Sequence, residues 1–276
     1  MRGTRVAALW CVAAVAASLM LARVHPFGDA GLYAIRDDDS PILDRGQVPE
    51  AVRALLVEKC ADCHSDQTRA PLYGRFAPAS WLMERDVLRA REAMNLSAWE
   101  RYPAVQQQTL AAKMVEETRA HAMPLVQYRV IHWRARIGDG DVRTLAAWAR
   151  ALGASESGPG FGAIEEDLSE GDAVRGKSLF EKRCTGCHAL TTNHEGPRLL
   201  GVYGRTSGMA EGFVYSAALK KAAIVWDGQT LEKWLADPDA FVPGNEMDFL
   251  VAKAQERRDL IAYLRQSSGK LQSSAM

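Results

Sequence analysis

Two pentapeptides in this chain, Cys60-Ala-Asp-Cys63-His64 and Cys184-Thr-Gly-Cys187-His188, each set two thiols three positions apart and an imidazole directly after them. At a helix end this spacing lets both sulfurs reach the two vinyl groups on one porphyrin edge. It then brings the following histidine under the iron as proximal ligand. The strings read as two attachment sites for covalently bound haem c, with Cys60, Cys63, Cys184 and Cys187 as anchors and His64 and His188 as metal ligands. Covalent attachment keeps the cofactor in a small domain with little core of its own. A thioredoxin-like redox pair needs a βαβ setting, which is missing here. A structural zinc site gathers its ligands from much closer in sequence than these two strings.

The elements that must position these strings are helical. Pro49 to Lys59 puts Val52, Leu55 and Leu56 on one face and runs directly into Cys60. Asp141 to Leu152 repeats the pattern with Val142, Leu145, Ala146 and Ala149, and Gly153 reads as its stop. Asp172 can cap a helix carrying Ala173, Gly176 and Phe180, which runs into Cys184, and a closing helix near Glu256–Arg265 carries Leu260, Ile261 and Leu264. Alternating β-branched runs with hairpin turns do not occur. The expected fold is all-α, two small helical c-type cytochrome domains in tandem behind an N-terminal hydrophobic helix.

That first segment, 1–24, is a positive start followed by an uncharged 17-residue run, Val6 to Ala22, and then Arg23. It reads as an export signal or membrane anchor, with the anchor favoured because Arg23 marks a stop. Cys11, inside the run, is a bystander. Residues 25–45 form a polar tether holding Asp37-Asp38-Asp39. A haem-binding domain spans 46–152, a Gly/Ser-rich linker 153–164, a second domain 165–266 and a polar tail 267–276. Such a linker spans about 17 Å root-mean-square.

With 34 Lys and Arg against 34 Asp and Glu, the chain offers no electrostatic case for nucleic acid, and membrane contact is expected only through the N-terminal segment. Residues 45–150 nevertheless carry 16 basic against 12 acidic side chains, and residues 163–266 carry 13 against 16. This asymmetry would suit mild attraction between the two parts, or separate partners for each.

A second axial ligand should follow the second string, and Pro243-Gly244-Asn245-Glu246-Met247 offers a thioether in a turn; Met209 lacks that context. Here the C-terminal domain resembles class I cytochrome c. The matching pieces are Gly176-Lys-Ser-Leu-Phe180, Cys184–His188, Gly196-Pro197-Arg-Leu-Leu-Gly201, Gly204-Arg205, Phe213-Val-Tyr215-Ser216, Trp226, Pro243–Met247 and Glu256–Leu264, in the family's order. The resemblance implies His188 and Met247 as the axial pair and Pro197 as the residue whose carbonyl orients the histidine. It also implies Arg205, Tyr215 and Trp226 around a haem propionate. Glu246 and Asp248 flank Met247 where the family often places lysine, which implies a locally weakened basic docking ring.

In the N-terminal domain, Cys60–His64 is followed by Ser65, Thr68, Pro71-Leu-Tyr73, Ala77-Pro78, Ser80-Trp81, Asn95-Leu-Ser97-Ala-Trp99, Ala122-Met123-Pro124-Leu125, Tyr128, His132 and Trp148. This order resembles a bacterial haem-binding domain family with a single c-type haem. Met123, in a Met-Pro loop, is the first choice for the sixth ligand, with His132 and His121 as alternatives. Trp81, Trp99, Trp133 and Trp148 read as haem-packing core. The expected function is a periplasmic dihaem c-type cytochrome without catalytic residues. It would carry single electrons between redox protein donors and acceptors such as a respiratory complex, an oxidase or a dehydrogenase. A dihaem cytochrome c peroxidase and a haem-based redox or gas sensor are the alternatives.

Overall fold

The computed structural model describes residues 2–33, 43, 48–155 and 170–274. Most of the expected tether, including Asp37–Asp39, and the body of the expected linker from residue 156 lie outside the described residues. In chain order the helices are α1 (Arg2–Leu21), α2 (Glu50–Lys59), α3 (Ala61–His64), α4 (Ala79–Ala93), α5 (Ala104–Arg119), α6 (Val126–Ile131), α7 (Asp139–Ser155), α8 (Ala173–Arg183), α9 (Ala217–Ala222), α10 (Gly228–Ala236), α11 (Pro238–Phe241) and α12 (Ala254–Ser274). Among the described residues there is no strand, and a lone antiparallel bridge joins Thr206 to Val225. The all-α expectation holds.

Contacts divide the chain into two compact units, residues 1–101 with 127–136, and residues 102–126 with 137–276. In the contact grouping α7 packs on α5 and α5 on α8, so these two helices fall with the second unit although they precede the expected linker at 153–164.

In the first unit, α2 buries Val52, Leu55 and Leu56, the stripe read from its spacing. Helix α1 is exposed, and Gly3–Leu21 is long and apolar enough to cross a membrane. Its last turn is tied down: Ser18 Oγ donates to the Ala77 carbonyl at 2.8 Å and Trp81 Nε1 donates to the Leu21 carbonyl at 3.0 Å. Trp99 is buried, but Trp133 is 67% exposed, with Arg134 over its ring, so Trp133 is not core.

In the second unit, α8 and α12 cross at Gly176, where an added Cβ would lie 1.9 Å from the Asp259 carbonyl oxygen. Only glycine permits that approach, and Phe180, Leu260 and Leu264 bury themselves around it. Asp172 caps α8 by accepting from the Val174 and Arg175 N–H groups. Helix α12 runs on to Ser274, through the expected polar tail, since Ser267 and Ser268 donate back to the carbonyls of Tyr263 and Leu264 and need no solvent partner. Helix α7 likewise runs through Gly153. That residue is buried, and a Cβ there would lie 2.3 Å from Gln108 Nε2 on α5, so the glycine admits a close helix approach rather than a stop.

Candidate haem sites

Helix α8 delivers the second string. The Cys184 N–H continues the helix onto the Phe180 carbonyl, and the Cys187 and His188 N–H groups both turn back onto the Cys184 carbonyl, at 3.1 and 2.8 Å. This tight turn sets the two sulfurs and the imidazole on one side. The loop carrying Pro197 folds back on the string: Gly196 N–H donates to the Cys187 carbonyl and Leu199 N–H to the Ala189 carbonyl. His188 Nδ1 consequently lies 2.8 Å from the Pro197 carbonyl oxygen. A carbonyl can only accept, so Nδ1 carries the proton and Nε2 presents a lone pair. Gly196 packs against the same ring, where an added Cβ would lie 2.2 Å from His188 Cε1. Burial pushes the His188 pKa down, which favours the neutral, ligating imidazole.

Cys184, Cys187, His188 and Met247 line one cavity, walled by apolar side chains including Leu199, Val202, Leu231 and Leu264. Burial drives the Cys184 thiol up to about 12 and Cys187 to about 11, far from the activated thiolates of redox or zinc sites. Met247 is held by Asn245, a buried residue whose Oδ1 accepts the Met247 N–H at 2.7 Å and whose Nδ2 donates to Asp239 and the Val242 carbonyl. Met209 is 68% exposed and is not among the lining residues.

Pro197, Arg205, Tyr215 and Trp226 line the same cavity. The Thr206–Val225 bridge holds Arg205 beside Trp226, with the Trp226 N–H donating to the Arg205 carbonyl at 3.0 Å. Arg205 donates to the carbonyls of Leu200 and Arg198 and has no carboxylate partner among the described residues. Burial pushes its pKa down, as expected for a desolvated cation lacking a counter-charge. A propionate would supply that charge. The two sulfurs, His188, Met247 and the unmatched guanidinium together fit a haem.

Sequence reading did not find α5 at this site. Thr109, Ala112 and Glu116 line the cavity, and ion pairs made by three basic side chains fasten α5 and α7 beside it. Lys113 meets Glu195 at 2.7 Å, Arg119 meets Asp248 at 2.7 Å, and Arg150 meets Asp239 and Asp248. Asp248 is buried, so of the two acidic residues flanking Met247 only Glu246 faces solvent. The charge asymmetry between the two stretches of sequence is partly matched in these pairs.

The first string repeats the local geometry. The Cys60 N–H continues α2 onto the Leu56 carbonyl, and the Cys63 and His64 N–H groups turn back onto the Cys60 carbonyl at 3.2 and 3.0 Å. His64 Nδ1 lies 3.1 Å from the Met94 carbonyl oxygen, again leaving Nε2 to ligate, and burial again lowers the histidine pKa. Several residues quoted for the family likeness hold this turn. Ser65 Oγ donates to the Ala61 carbonyl, Ser97 Oγ accepts from the Asp66 N–H, and Asn95 Nδ2 donates to Asp66. Cys63 packs on the Ala30, Leu32 and Val87 cluster, and burial raises its thiol to about 11. This donor set fits a second covalently held haem. His132 stacks on Tyr128 and its Nε2 is 2.7 Å from the Tyr73 hydroxyl, in the first unit. Met123 and the exposed His121 belong to the second unit.

A helical unit with a Cys-x-x-Cys-His turn, a carbonyl-oriented histidine and a methionine on the same cavity is a class I c-type cytochrome. Comparison with known proteins agrees. Residues 173–268 match the family model for cytochrome c, and residues 26–151 match that for a haem-binding domain. Cytochrome c of Euglena viridis is 51% identical over 98 residues, covering 34% of this chain and 96% of that protein. Cytochrome c of Chlamydomonas reinhardtii is 44% identical over 102 residues, covering 36% and 91%. Among solved structures, cytochrome cH from Methylobacterium extorquens is 42% identical, with 35% of this chain and 99% of that one covered and a TM-score of 0.34. The chain belongs to the cytochrome c family and is an electron-transfer haem protein.

Proposed function

We propose that this chain is a dihaem c-type cytochrome that passes single electrons between redox protein partners on the periplasmic side of a bacterial inner membrane. The observation that carries the reading is the duplication of one local design. Each Cys-x-x-Cys-His turn follows a helix, and each histidine gives its Nδ1 proton to a backbone carbonyl, that of Met94 or Pro197. When bound, haem supplies an iron that alternates between ferric and ferrous states. The protein's part would be to hold it: His188 and Met247 would offer an imidazole and a thioether to the iron, the thioether favouring the ferrous form, and Arg205, Tyr215 and Trp226 would face its carboxylates. The apolar Gly3–Leu21 helix, latched through Ser18 and Leu21, supports the anchor reading.

Haem quantitation on protein matured in a periplasm should return two haems per chain, and one would refute the dihaem reading. Low-temperature electron paramagnetic resonance of the oxidised protein should then give two low-spin ferric signals. Their shapes separate a Met123 thioether from a His132 or His121 imidazole at the first iron. A substantial high-spin signal would instead mean an open iron and would overturn the simple carrier in favour of peroxide or gas chemistry.

A further inference from the structure

Away from both haem strings, the first unit gathers His25, Asp29 and Glu84, each offering one donor atom, all within 4.8 Å of one another. Sequence spacing does not announce the group, since Glu84 sits on α4 and the other two lie in the turn after α1. His25 Nδ1 is 2.7 Å from Glu84 Oε1. The ordinary reading is a hydrogen bond between imidazole and carboxylate, and it leaves one atom unexplained. The Glu84 side chain is only 5% exposed, and its Oε2 is buried with no hydrogen-bond partner among the described residues. A buried carboxylate oxygen without a donor is costly and calls for a partner. His25 is the one ion-pair partner of Glu84 among the described residues.

We propose that His25, Asp29 and Glu84 form a binding site for a divalent transition-metal cation of the Zn²⁺ type. A cation between them would set a full positive charge beside the buried Glu84 carboxylate, and the neutral form of imidazole is the one that ligates. An imidazole with two carboxylates is a borderline donor set that suits Zn²⁺ better than the all-oxygen preference of Ca²⁺ or Mg²⁺. Donors bound at about 2.0–2.2 Å stand up to ~4 Å apart across one ion. His25 and Asp29 are exposed, which leaves their side chains room to turn toward an ion. Their exposure also provides an entry path and leaves room for water as a further ligand.

The test is calorimetric titration of chelator-stripped, haem-loaded full chain with ZnCl₂. One site per chain is expected, weakened ~tenfold or more in both E84Q and D29N, as for lost metal-site groups generally. Asp29 is exposed, so D29N keeps the test decisive if E84Q fails to fold. Zn²⁺ should also raise the melting temperature of the wild type more than that of D29N. No binding by the wild type, or unaltered affinity in D29N, would reduce the cluster to an ion pair and overturn the proposal.

Discussion

At the scale of single residues, the site is held largely by main-chain atoms. That Cys184, Cys187, His188 and Met247 line one cavity is legible in the sequence because their chemistry lies in the side chain and its spacing. Met94 reads as a filler in the sequence, yet its carbonyl orients His64. Asn245 is visible only as part of a turn, although it holds the Met247 backbone. Asn245→Ala should cost about 1–3 kcal/mol by leaving buried groups unpaired. It should also weaken the optical band of thioether-ligated ferric haem, and an unchanged band with normal melting would deny Asn245 its positioning role. Gly196→Ala would drive a methyl into the His188 ring. The expected outcome is a disturbed axial ligand, read as an altered low-spin signal and a shifted reduction potential by voltammetry.

Among the elements, helix beginnings are easier to read than helix ends. Asp172 announces the start of α8 through a local hydrogen bond, whereas Gly153 looks like a stop and is a contact point. Its role depends on Gln108, far away in sequence. The α8–α12 crossing depends on Asp259, which takes the Arg175 guanidinium, the Asp172 N–H and Gln255 Nε2. Burial pushes this carboxyl's pKa up, but those donors together outweigh it and hold it below the ordinary range. A depressed folded-state value makes its contribution fully present above about 3.9, and that contribution is lost as the pH falls through the folded value. Thermal unfolding followed from about pH 5 to pH 2 should therefore fall more steeply in the wild type than in Asp259→Asn. Parallel curves would show that the clamp does not depend on its charge.

For the whole molecule, the grouping of α5 and α7 with the C-terminal helices is what the sequence could not disclose. Long-range packing leaves no local periodicity, and a Gly/Ser-rich stretch beginning at residue 153 invites a boundary there. The ion pairs of Arg119 and Arg150 with Asp248 are the polar counterpart of that grouping. Removing both arginines strands a buried carboxylate, which should cost about 2–3 kcal/mol once partial solvent screening is allowed for. Adding Asp248→Asn to that double variant should restore part of the loss. No recovery in a denaturant titration would mean the arginines act by packing alone.

Thr109, Ala112 and Glu116 of α5 form part of the same cavity wall as Cys187 and Met247. Substitutions on that helix would therefore retune the cavity from outside the stretch, residues 173–268, that matches cytochrome c. The cytochrome stretch would keep its own loops while the pocket they share is altered by a neighbour.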